Sequence, residues 1–536
     1  MLVELHSRLI ATNVKNDADM TFTAINTLPQ KRKDTVIVKT YVPGGKFAII
    51  DEKGNDVDYT IIKSRDLTDY VLSQTIMLDP SRKFYVPDQV LEVTMAIKAN
   101  DVPALGYVQY SIDTQKDSHK ETADKKVLEN KYYTIEVEEN GSLTIVDKAN
   151  NVTYKNQGIL VENGDDGDSF NYSPPRKDME VFSNESKCTV KISGSDIYDQ
   201  AEIHFDMVVP ADLDERAEGK VSVTMLVDMT VALRKDSKVI DFNVKVDNKG
   251  LSHRLCVLFD SQIVSAFNYA DQQFGLIKRP NYYEKEMKLY MESMNNKTEK
   301  KAGIQELANW ANDQSTWQEP PISIEPTQSY VSLTDGKTGI AVIPQGVREY
   351  EVLDDSKIRL TLFRTYGFMG KENLIYRPGR ASGERIIETP AAQLLKEMEF
   401  NFGFTSYAGD INDSDIDTLA KQYNTNLEVY TYAEFLNGRL IFSQREIEGQ
   451  NAKIHSLFET EGNLVVSAVK KAEEDDGYII RLYNGKDHKD LDDKIKFNFD
   501  IKEAYYTNLK EEKTEEKTGM NVKGLGAIVL AVILGV

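Results

Sequence analysis

Cysteine is almost absent from this chain: Cys188 and Cys256 are the only two in 536 residues, which excludes a disulfide framework. Both sit in apolar alternating segments, Cys188-Thr-Val-Lys-Ile and Leu255-Cys256-Val-Leu, where a small hydrophobe serves, so they read as buried thiols in a reducing compartment. Histidine is also scarce, and neither the six histidines nor the cysteines cluster at metal-ligand spacing. Positive charge is short, with 65 Lys+Arg against 86 Asp+Glu and a net charge of −21. Such a balance repels phosphate backbones and anionic lipid, which argues against nucleic acid and membrane surfaces as partners. No long hydrophobic run occurs. The uncharged stretch 524–536 has 13 residues, whereas a bilayer-crossing helix needs about 20. Gly524, Gly526 and Gly535 make that stretch a poor helix, and a buried terminal strand is expected. The first residues, Met-Leu-Val-Glu-Leu-His-Ser-Arg, lack the cationic and apolar segments of a secretory signal, so a cytoplasmic location is expected.

What is present is period-two alternation. Thr35-Val-Ile-Val-Lys-Thr-Tyr-Val, Val221-Ser-Val-Thr-Met-Leu-Val-Asp-Met-Thr-Val and Val239-Ile-Asp-Phe-Asn-Val-Lys-Val are rich in β-branched and aromatic residues. Turn chemistry at Lys53-Gly-Asn, Glu139-Asn-Gly and Asn484-Gly separates such runs. The expected fold is mainly β, as consecutive antiparallel β-sandwich domains with a short N-terminal helix. Leu2, Leu5 and Leu9 place that helix within 1–20, and Ser414 to Gln422 opens like a capped helix. Domain boundaries are drawn at 21–120 for a small sandwich, 121–410 for a large one and 411–536 for a terminal β domain, in line with roughly 100–200 residues per domain for small cores.

A series of local sequences occurs in one order. It runs from Phe22-Thr-Ala-Ile-Asn-Thr-Leu-Pro-Gln-Lys-Arg32 through Leu128-Glu-Asn-Lys-Tyr-Tyr133 to Asn163-Gly-Asp-Asp-Gly-Asp-Ser-Phe-Asn-Tyr-Ser-Pro-Pro175. Leu251-Ser-His-Arg-Leu255, Leu360-Thr-Leu-Phe-Arg364, Arg377-Pro-Gly-Arg380 and Thr389-Pro-Ala-Ala-Gln393 follow, then Ala468-Val-Lys-Lys471 and Arg481-Leu-Tyr-Asn484. Together they resemble the C-terminal half of glycoside hydrolase family 38, the bacterial α-mannosidase and mannosylglycerate hydrolase-like enzymes. The segment 163–175 is similar to a Gly-Asp-x-Tyr-Asp-Tyr-Ser-Pro signature, with Phe170 and Asn171 where Tyr and Asp are usual.

The resemblance implies retaining hydrolysis of α-mannosides by a zinc-bearing (β/α) barrel that precedes this region and has no counterpart ahead of Phe22. It also implies β domains that brace that barrel and lend rim loops to the sugar. Asp168 and Tyr172 are then expected to hydrogen-bond hydroxyls, Phe170 to pack on a ring face, and Arg377 and Arg380 to supply a cationic contact. No catalytic residue and no cofactor is expected within this chain; zinc belongs to the parent enzyme. Taken alone, Asp165, Asp166 and Asp168 equally suit a surface turn. His204 with Asp206, and His488 with Asp490, have a nominal ligand spacing but lack further ligands, so strand histidines are the plainer reading. Trp317 suits a sugar platform or an inter-sheet core. The expected partners are an α-mannoside and either a barrel-bearing chain or a second copy. The alternative is a free-standing carbohydrate-binding or scaffold sandwich without catalysis.

Overall fold

The computed structural model describes residues 20–73, 88–297, 319–378, 386–433, 436, 456–462, 464–474, 477–486, 491–498, 500–516, 521–524 and 527–534. The expected N-terminal helix, Trp317, Arg380, and His488 with Asp490 lie outside these. The architecture is mainly β, in consecutive antiparallel sheets that pack as sandwiches, with a few short helices.

The first sandwich opposes a five-stranded sheet containing Met20–Asn26 and Gly106–Asp113 to a three-stranded sheet of Arg32–Val42, Leu91–Val102 and Tyr59–Asp66. Alternation along these strands turns Phe22, Val38, Met95 and Ile97 into one core. The Phe22 and Tyr110 rings stack at 4.8 Å within it. The edge of the larger sheet is completed from far along the chain: Glu428–Ala433 pairs with Met20–Asn26. The sequence groups residues 428–433 with the terminal strands, so here the structure differs. That edge offers unpaired backbone groups to any strand of matching length, and adjacency in sequence does not decide which one takes it.

The central region is built on a ten-stranded sheet packed against a six-stranded and a four-stranded one. Tyr198–Val209, Val223–Arg234, Ile240–Asp247 and Glu397–Ala408 lie side by side, with Ile203 opposite Met229, Met229 opposite Val244, and Val244 opposite Phe400. One face therefore carries the apolar rows of the largest core. The other carries the alternate residues, among them Thr230, Asp241, Asn243 and Asn401. Ile203 is fully enclosed, and Ile203→Val should cost about 0.5–1.5 kcal/mol in denaturant unfolding. A loss beyond about 3 kcal/mol would mean that more than one methyl group's packing rests on it.

Helix Glu284–Lys297 was not evident from periodicity, although Glu284 and Glu286 favour its N-terminus and Tyr290 is its buried anchor. The helix expected from Ser414 is Ile416–Asn424. Ala527–Leu534 is an interior strand, flanked by Tyr478–Tyr483 and Ile501–Thr507. No helix among the described residues is long and apolar enough to cross a membrane. Cys256 is buried as expected, but Cys188 is half-exposed, since its strand Lys187–Gly194 lies near the sheet's margin.

Candidate functional site

The Asp-Gly-rich loop leaves the strand Ile159–Gly164 and is held from three sides. Asp165 is buried and accepts from Arg364, Nε to Oδ2 at 2.6 Å and Nη2 to Oδ1 at 3.2 Å. Burial pushes the Asp165 carboxyl up, and the Arg364 guanidinium opposes that. Arg364 Nη2 also donates to the carbonyls of Asp168 and Asn171, both at 2.9 Å. Gly167 is required where the loop doubles back, because a Cβ there would lie 2.0 Å from the Asn171 carbonyl oxygen.

Asp168 points inward and is fully enclosed. Its Oδ1 accepts from the Phe170 and Asn171 amides at 2.9 and 3.1 Å, and its Oδ2 accepts from the Lys371 amide at 2.7 Å and from Arg377. Burial raises this carboxyl, but the Arg377 pair and the three amides together hold it below the usual carboxylate range. Arg377 is itself buried and also donates to Asn171 Oδ1, and Lys371 pairs with Asp166. Tyr172 is buried too: the Arg254 guanidinium lies 3.9 Å from its ring centre, and Asn163 Nδ2 donates to its hydroxyl at 3.1 Å. Burial pushes that phenol well above its ordinary range.

The structure thus gathers Asp168, Phe170, Tyr172 and Arg377 into one loop system but turns only Phe170 outward, 58% exposed. Asp168, Tyr172 and Arg377 have their polar groups engaged inside the protein. The residues that sequence reasoning did not single out are Arg254, Arg364 and Lys371. A charged residue inside or closing an apolar alternating strand, as Arg254 and Arg364 are, was the available signal. Ser169 N donates to Phe368 O at 3.2 Å, which ties the loop to the strand pair Phe368–Met369 and Ile387–Glu388, where the exposed Met369 and Ile387 stand opposite each other.

His204 is a half-buried strand residue whose Nδ1 lies 2.6 Å from Asp228 Oδ1 and whose Nε2 lies 3.3 Å from Asp206 Oδ1. Both ring nitrogens are occupied, and no group of three or more His, Cys, Asp or Glu side chains among the described residues is placed to hold a metal. These donors do not fit the zinc that the resemblance implies for the parent enzyme.

Successive antiparallel sandwiches with a cross-braced acidic loop on the central one define a multi-domain β-sandwich protein. A family model described as the glycosyl hydrolases family 38 C-terminal domain matches residues 128–368, and one described as the family 38 C-terminal beta sandwich domain matches 463–531. The chain belongs to glycoside hydrolase family 38 and carries its C-terminal domains. It is 23% identical over 416 residues to a protein of Halalkalibacterium halodurans named "Putative mannosylglycerate hydrolase", covering 74% of this chain and 40% of that one. The fold is that of an alpha-mannosidase from Enterococcus faecalis V583, with a TM-score of 0.74 at 19% identity over 99% of this chain and 57% of the other. A family 38 protein from Enterococcus faecalis gives 0.73 at 18% identity, over 98% and 60%. The chain therefore spans less than two thirds of the length of each of these relatives.

Proposed function

We propose that this chain supplies the β domains of an α-mannosidase-like retaining glycosidase: it braces a zinc-bearing catalytic barrel and presents the loop 165–172 at the rim of the sugar site. The observation that carries this reading is the loop itself. Two buried carboxylates, Asp165 and Asp168, are locked by Arg364 and Arg377, yet the one apolar ring of the turn, Phe170, is held in solvent next to Ser169, whose amide bonds to the Phe368 carbonyl. A rigid loop that exposes an aromatic ring suits the apolar face of a pyranose or an abutting domain. In this reading Asp168 and Arg377 are positioning residues, and Phe170 makes the contact. Arg380 would supply the cationic contact to the sugar.

The test uses the chain together with a family 38 barrel, assayed on an aryl α-mannoside. Hydrolysis is expected only when both parts are present. Phe170→Ala should raise KM by about tenfold, with kcat within about twofold and unfolding unchanged to within about 0.5 kcal/mol. Turnover by the chain alone, or unaltered constants in the variant, would overturn the reading.

A further inference from the structure

The outward face of the ten-stranded sheet is not bare. The strand Arg32–Val42 of the first sandwich and Tyr423 of the helix Ile416–Asn424 border it and form a partly open cavity of about 310 Å³. Its floor follows from strand register: Thr230 is opposite Asn243, Asn243 opposite Asn401, and Asn401 opposite Gln345. Four polar side chains therefore stand in one row across four adjacent strands, where an alternating pattern alone would only require "not apolar". Tyr198 and Tyr423 form walls, and Ile37 contributes an apolar patch.

The charges beside the cavity are already neutralised. Arg32 pairs with Asp34 at 2.9 Å, Asp34 with Arg234 at 2.7 Å, and Arg234 is bidentate on Asp241 at 2.9 and 3.1 Å. Two guanidiniums and two carboxylates alternate, and an entering anion finds no uncommitted cation. The uncharged groups differ. Asn243 Nδ2 donates to Asn401 Oδ1 at 2.8 Å and to Glu399 Oε1 at 2.7 Å, which uses both its hydrogens, but the Asn401 amide nitrogen, the Gln345 amide, and the Thr230, Tyr198 and Tyr423 hydroxyls have no hydrogen-bond partner among the described residues. The Asn401 and Gln345 amides each offer a donor and an acceptor, and each hydroxyl offers both in one atom. The volume is at the lower end of small-molecule sites, and junctions between domains are where such sites concentrate.

From this we infer a second binding site, for a neutral polyhydroxylated ligand of one or two pyranose units: the amide row meets its hydroxyls and the tyrosine rings meet its C–H faces. The site stands on the sheet register and does not depend on the rim-loop reading.

The experiment is ligand-observed NMR of the whole chain with α-mannobiose and, separately, with mannose 6-phosphate. Saturable binding of mannobiose is expected, weakened about tenfold in Gln345→Met and about fivefold in Tyr198→Phe, and unchanged in Val264→Ser, an exposed position away from the cavity. The Gln345 side chain is half-exposed and holds no hydrogen bond among the described residues, so its variant is expected to fold; retained unfolding midpoints check this in both. No saturable binding to the folded chain, binding untouched by both cavity variants, or a preference for the phosphate would each overturn the inference. Loss of binding in Phe170→Ala alone would assign the sugar to the rim loop and overturn it as well.

Discussion

Asp168→Ala is expected to destabilise the central sandwich by about 3–5 kcal/mol, the usual cost of removing one partner from a buried ion pair. The carboxylate is wholly enclosed and accepts from three backbone amides besides Arg377. Its loss leaves the buried Arg377 guanidinium without a counter-charge, with only Asn171 Oδ1 and the Lys371 carbonyl to accept from it, and leaves the Phe170, Asn171 and Lys371 amides without their acceptor. Asp168→Asn keeps an acceptor oxygen but not the charge, so a smaller loss is expected. Because this Asp is held below its ordinary value of 3.8, its stabilisation is present above the unfolded carboxylate range and is lost as pH falls through the folded value. The variant should therefore show a shallower acid limb than the parent. Denaturant unfolding followed on the transition of this sandwich measures both effects, since a multi-domain chain need not unfold in one step. A difference below about 1 kcal/mol would mean that the loop is held without this pair.

Lys421→Met is expected to stabilise the chain at neutral pH, by up to about 3 kcal/mol. Lys421 lies where helix Ile416–Asn424 meets the terminal strands, and burial pushes its ammonium down to about 8, with Asp417 and Asp271 opposing and Lys486 adding to the depression. The Tyr483 ring, 5.3 Å away, recovers part of the cost. Asp417 does little more to offset it, because it also accepts from Lys486 at 2.5 Å and from the Tyr330 hydroxyl at 2.7 Å. Between the folded value and the unfolded 10.5 the unfolded chain binds more protons, so the parent gains stability as pH rises through that window. The advantage of the methionine variant should shrink over the same interval. Unfolding midpoints of both proteins at about pH 7 and pH 10 test this; an advantage that stays constant, or a variant less stable at neutral pH, would sink the argument.

Legibility differed between the strands and the site. Val223–Arg234 and Ile240–Asp247 were readable because one buried face of a sheet forces period two on the sequence. The loop was readable as a turn from its glycines, and as part of a family signature, but the direction of its side chains was not. Asp168 is set by Lys371 and Arg377, about two hundred residues away along the chain, and no local spacing encodes such a meeting. Helix Glu284–Lys297 was missed because Tyr290 alone of its described residues is buried, so its apolar stripe is too weak to register.

By itself, then, the sequence determined the mainly β class, the turns, and membership of family 38 through the order of its motifs, because alternation and turn chemistry are local demands that any sandwich core imposes. Tertiary structure alone decided that Glu428–Ala433 closes the first sheet and that Asp168 and Tyr172 face inward while Phe170 faces out. It also set Thr230, Asn243, Asn401 and Gln345 in a single row. Register and ion pairing join residues that the chain itself keeps far apart, and they are settled only when the sheets pack.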